Sequence, residues 1–209
     1  MPTRVGDAPA QPTSLIQRLR SLTPPEAITY RAARQVAERQ AKILLAETGV
    51  TEPPVPTDIV SQMPGIYVYP LPRNPVRGLL GASKPTSTGG DILIDGNLPA
   101  AEQRLTLLHE LKHIIDGGHS PQLHQRGDRA SGEQLCTEFA LEVLIPSAWI
   151  RADWVAGMRG ASALAERYEV PREAVQQRLH ALGLSQHRPP RRAVACQWHP
   201  HRDLKRRPR

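Results

Sequence analysis

Two histidines four residues apart, His109 and His113, flank a glutamate at position 110 in a stretch whose apolar residues recur at helical spacing. Leu105, Leu108, Leu111, Ile114 and Ile115 supply that periodicity. Asn97 and Pro99 mark a start and Gly117 a stop, so the pattern predicts a helix through the segment. Residues i and i+4 of a helix project from one face, which lets both imidazoles reach a single ion. Neutral imidazole is a good Zn²⁺ ligand, and two ligands fixed on a helix lose little entropy on binding. Glu110 follows His109 directly and can lean towards a coordination position left open for water. There it would take the water's proton and later pass it to a leaving amine. HExxH on a helix therefore predicts one bound zinc ion, Glu110 as general base and peptide-bond hydrolysis as the reaction class. The bland alternative is a surface helix with two unrelated histidines, and the apolar flanks speak against it.

A third protein ligand is needed, and two residues compete for the place. His119 extends the motif to HExxHxxDxxH, close to the metzincin pattern, with Met158 downstream. Asp116, however, stands where metzincins need glycine for a sharp backbone turn. Glu133, at the start of the next expected helix, would complete a His₂Glu site instead. In the 118–131 loop, His124 and Asp128 are candidates for an outer contact. Cys136, on the Glu133 helix, reads as a buried inert thiol. Glu138 and Glu142, four apart, read as a solvated face.

Upstream, Ile28, Ala32, Ala33, Val36, Ala37, Ile43 and Leu44 predict a helix from Glu26 to about Glu47. Asp58 to Met63 suggests one short helix. Three β-like runs follow, Ile66–Tyr69, Arg77–Gly81 and Asp91–Asp95, each bounded by turn residues. Tyr67 and Tyr69 alternate with Ile66 and Val68, so one pair faces the core and the other faces out. After the HExxH helix come helices over 133–144, one capped by Ser147, and two shorter ones at 162–168 and 171–182. A helix, three strands and then helices predict an α+β domain with a short antiparallel sheet. If the 91–95 strand lies at the sheet edge, an extended peptide could add to it beside the metal.

The run from Gly132 to Pro146, GEQLCTEFALEVLIP, resembles the ImmA/IrrE family of metallopeptidases. In that family HExxH is followed by a glutamate-led helix that ends in a Phe-Ala and Leu-Leu-Met-Pro-like signature. Val55-Pro56-Thr57-Asp58-Ile59-Val60, the three strands and Leu98-Pro99 ahead of HExxH are similar to it as well, and the likeness spans about residues 50–185. The resemblance implies a small zincin-like core in which His109, His113 and Glu133 hold the zinc and Glu110 is the base. It also implies a protein substrate, a DNA-binding repressor whose cleavage would switch on mobile-element or stress genes. Thr137 stands where the family usually has Asn, and Lys112 where a small residue is common; its long stem is expected to run to solvent.

Composition bounds the rest. Two cysteines, Cys136 and Cys196, give no disulfide framework and point to a reducing cytoplasm. Neither a signal peptide nor a membrane span is legible, so a soluble protein with no membrane partner is expected. The net charge of +7 resides wholly in residues 187–209, which hold eight Lys or Arg and one acid. The expected organisation is a disordered segment over 1–24, a zincin-like domain over 25–158, a helix-turn-helix-like element over 159–185 and a disordered basic tail over 186–209. The helix-turn-helix reading would put Arg172, Gln176, Gln177 and Arg178 in a DNA groove. Glu166, Glu169 and Glu173 dilute its charge, which favours a packing or substrate-recognition role. Against the peptidase stands one rival from another class, a non-hydrolytic regulator that binds DNA or a repressor through this segment and the tail.

Overall fold

A computed structural model describes residues 14–26, 28–71, 79–117 and 129–185. In chain order these form α1 (Leu15–Ser21), α2 (Tyr30–Glu47), α3 (Asp58–Ser61), β1 (Ile66–Leu71), β2 (Gly81–Pro85), β3 (Gly90–Asp95), α4 (Ala100–Asp116), α5 (Arg129–Leu144), α6 (Ser147–Val155), α7 (Ala161–Tyr168) and α8 (Arg172–Ala181). The class is α+β, a short three-stranded sheet among helices.

α2 starts at Thr29, whose side chain accepts from the Ala32 amide. Its small apolar stripe, Ala33, Ala37, Ala41 and Leu44, is buried, and α2 packs against α5. Small residues at these positions let the two helices approach closely. α5 in turn packs on α4, and α4 lies on β2 and β3, so α4 is enclosed between helix and sheet. From Leu105 to Leu111 and at Lys112 every α4 residue is buried. No helix among the described residues is long and apolar enough to cross a membrane.

The sheet differs from expectation. Its order is β1-β3-β2, with β1 parallel to β3 (Ile66 opposite Gly90) and β2 antiparallel to β3 (Gly81 opposite Ile94), so it is mixed rather than antiparallel. β3 is the most apolar run. Inserted in the middle it buries Gly90, Ile92 and Ile94, which an edge position would leave half wet. The proposed edge role of 91–95 falls with this placement, and β1 and β2 are the outer strands. β2 itself occupies Gly81–Pro85, not 77–81. Its Gly-Ala-Ser-Lys-Pro sequence has no β-branched residue, and pairing to β3 and contact with α4 override its low propensity.

A helix occupies Leu15–Ser21, within the stretch expected to be unstructured. Ser14 and Gln17 form a capping box, and Ile16 and Leu19 are buried. Arg20 ties it down by donating to the carbonyls of Ser87, Gly89 and Ile114. Ser147 is the first residue of α6 and not its cap; its amide and hydroxyl both donate to Glu142 Oε1, at 3.3 and 3.0 Å. Glu142 is buried and paired with Arg178, and Glu138 pairs with Arg34 at 3.2 Å, so these two acids are not a solvated face. Ile66 is buried while Tyr67 and Tyr69 face out, the alternation expected of β1.

Candidate metal centre

Three elements converge on one spot. α4 contributes His109, Glu110 and His113, the first two almost wholly buried. α5 contributes Glu133, Cys136 and Thr137. β2 contributes Ser83. Glu133 Oε2 lies 3.1 Å from His109 Nε2 and 3.6 Å from His113 Nε2, and the two rings are 5.1 Å apart between centroids. Ligands about 2.1 Å from a tetrahedral ion stand about 3.4 Å from one another, and Glu133 Oε2 stands at about that separation from each imidazole Nε2.

Hydrogen bonding orients the imidazoles for this use. The Thr137 hydroxyl donates its only proton to the Glu133 carbonyl at 3.0 Å, so towards His109 Nδ1, at 3.2 Å, it can only accept. With its proton on Nδ1, His109 would turn the Nε2 lone pair to the Glu133 carboxylate. Two lone pairs facing each other at 3.1 Å need a cation between them, a proton or a metal. The His113 ring has its Nδ1 3.7 Å from Cys136 Sγ, and its Nε2 is buried with no hydrogen-bond partner among the described residues. Outer partners of this kind fix tautomer and ring orientation.

The side chains of the cluster shift one another's titration. Burial works to raise the Glu133 pKa, but the neighbouring imidazoles of His109 and His113 prevail and hold it at about 2. Burial likewise works to lower that of His113, yet the thiol of Cys136 and the carboxylates of Glu133 and Glu110 hold it well above the ordinary 6.5. Burial raises that of Cys136, with His113 opposing.

Cys136 brings its sulfur close enough that His109, His113 and Cys136 also form a group with ligand atoms within 4.8 Å of one another. Cys136 faces the Nδ1 side of His113, whereas Glu133 faces the Nε2 atoms of both rings.

All four residues expected at the site, His109, Glu110, His113 and Glu133, meet within this cluster. His119, His124 and Asp128 lie outside the described residues. Lys112 does not reach solvent: it is fully buried, paired with Asp116 and 6.0 Å from the Phe139 ring. Buried Lys is rare unless paired, and Asp116 four residues on supplies the pair. Ser83 went unnoticed in the sequence. Its hydroxyl donates to Glu110 Oε2 at 2.8 Å, while Glu110 Oε1 is buried without a partner among the described residues. A hydroxyl in a strand of small residues was the only signal.

A family model described as Peptidase M78, IrrE N-terminal-like domain, matches residues 63–180, which holds every residue of this cluster. No curated protein matches the chain.

Proposed function

The chain belongs to the IrrE N-terminal-like family of metallopeptidases, and from that premise we propose that it is a zinc-dependent endopeptidase acting inside the cell on a regulatory protein. His109, His113 and Glu133 would hold one Zn²⁺, and Glu110 would be the catalytic base. The observation that carries the reading is the pairing of a converging His-His-Glu set with a fully buried carboxylate one residue away, one of whose oxygens is unspent. A pure binding module has no use for that carboxylate.

A bound zinc ion supplies Lewis acidity towards the scissile carbonyl and makes water at the site more acidic. The protein's own part is proton traffic and alignment. Glu110 Oε1, without a partner among the described residues, would accept the proton of the attacking water and return it to the leaving nitrogen, so the peptide would be cut without a covalent acyl-enzyme. Glu133 and His113 are the partly exposed members of the cluster, so substrate approaches from their side. An extended substrate can pair along the outer edge of β2, next to Glu110, a place the interior β3 cannot offer.

The substrate class, a DNA-binding repressor, rests on family resemblance alone. The rival reading as a DNA-binding regulator loses one of its four groove-facing residues. Arg178 is buried, pairs with Glu142 and donates to the Ile145 carbonyl at 3.0 Å, which makes α8 a docked helix.

The test compares new protein N-termini, by mass spectrometry, in host cells expressing the wild type or Glu110→Gln. This substitution keeps the three proposed ligands and removes the base, and should lower cleavage by at least about 10²-fold. A cut made only by the wild type is the expected outcome and names the substrate. Identical N-termini, with both proteins equally folded and zinc-loaded, would overturn the peptidase in favour of the binding regulator.

A further inference from the structure

β2 and β3 turn a row of buried positions towards α4: Gly81 and Ser83 on one strand, Gly90, Ile92 and Ile94 on the other. Ser83 is the single hydroxyl in that row, 8 % exposed and paired across the ladder with Ile92. An alanine would pack there without a polar atom to satisfy. The hydroxyl donates to Glu110 Oε2 at 2.8 Å. Its reach depends on Gly81, because a Cβ at 81 would come within 2.6 Å of Thr106 Cγ2 and 3.1 Å of Glu110 Cγ. The bare glycine lets β2 settle onto α4, and Ser83, two residues on, then faces the carboxylate.

From this geometry we infer that Ser83 is a positioning residue for Glu110. It occupies Oε2, so the carboxylate cannot rotate freely and presents Oε1 to the water. A carboxylate with both oxygens unbound in a buried site would sample several rotamers, most of them out of reach of a proton on the water. Ser83 touches no reacting atom itself and works through Glu110. The assignment rests on the role of Glu110 proposed above.

A probe that must surrender a proton in the site reports this without a known substrate. Acetohydroxamic acid binds a metal through its two oxygens and gives its hydroxyl proton to a neighbouring base. Zinc-loaded wild type, Ser83→Ala, Ser83→Thr, Glu110→Gln and Ser83→Ala/Glu110→Gln are titrated with it by calorimetry, with zinc content and thermal midpoint recorded for each. Ser83→Ala should keep its zinc and bind about ten-fold more weakly, the scale of one hydrogen bond to a charged group. Ser83→Thr, which restores a hydroxyl, should recover most of that loss. In the Glu110→Gln background Ser83→Ala should cost nothing further. Once a substrate is known, the same alanine should lower kcat with KM little changed. Binding by the wild type that is indifferent to Ser83, or an equal loss in both backgrounds, overturns the positioning role and leaves the zinc site standing. If the zinc-loaded wild type fails to bind the probe, the role of Glu110 as the base beside the ion is overturned, and the role of Ser83 with it.

Discussion

Glu133 and His113 respond to pH in opposite senses, and together they set how a metal-free form of the protein should behave. The Glu133 pKa is depressed to about 2, so its contribution to stability is present above its ordinary 4.5 and fades as pH falls towards 2. The His113 pKa is raised, so its contribution is complete below 6.5 and is lost as pH climbs through the raised value. Their shared window is therefore about pH 4.5 to 6.5. A metal ion held by the same atoms would take the place of the proton, so its binding would release protons and strengthen as pH rises. The gain in thermal midpoint on adding zinc to chelator-treated protein should thus be larger at pH 7.5 than at pH 5.5. A gain that shrinks with pH would mean that these side chains do not hold the ion. Thr137 bears on the same balance, since a hydroxyl spent on the Glu133 carbonyl would favour the His109 tautomer that a metal requires.

At the scale of elements, the contact between β2 and α4 does most to shape the site. Gly81 has an ordinary backbone conformation, so its value lies in lacking a Cβ where Thr106 and the Glu110 side chain press in. Gly81→Ala should cost about 1–3 kcal/mol of stability through overpacking, read as a lower urea midpoint. An unchanged midpoint would show that Thr106 gives way cheaply and that the fit is loose. This strand is also where the sequence was least legible. His109, Glu110 and His113 could be read because one helix carries all three, and local periodicity encodes a helix face. Glu133 needed only the neighbouring helix. Ser83 reaches the site across 27 residues of chain, and nothing local in Gly-Ala-Ser-Lys-Pro announces a strand. The central place of β3 escaped for the same reason. Strand order follows from which run can pair along both edges while burying one face, a comparison across the sheet that turn spacing does not contain. Lys112 and Glu142 were misread as solvated because charge argues for exposure, and their partners Asp116 and Arg178 are fixed by packing.

Across the whole molecule, a buried ion pair joins the C-terminal helices to the helix that carries Glu133. Glu142 lies on α5, nine residues beyond Glu133. It receives Arg178 from α8 and both the amide and the hydroxyl of Ser147 at the start of α6. Arg178 also donates to the Ile145 carbonyl, so one guanidinium closes the end of α5 against α8. Tyr168 and Arg167 on α7 both donate to Asp153 of α6, at 2.7 and 2.9 Å, and complete the connection. A buried pair of this kind adds little net stability over well-packed apolar residues, yet losing one partner strands a charge in the interior. Glu142→Ala should therefore cost about 3–5 kcal/mol, whereas the double change Glu142→Leu with Arg178→Met should recover a large part of that loss. Urea unfolding of the three proteins measures both. If instead the single and double variants are equally destabilised, the Ile145 carbonyl and Ser147 left without Arg178 and Glu142 outweigh the stranded charge. The pair would then act as a hydrogen-bonded latch rather than as a balanced ion pair. Because α5 also carries Glu133, zinc affinity in the single variant should fall with stability and return in the double. That correlation would tie the docking of 161–182 to the metal centre without any contact with DNA.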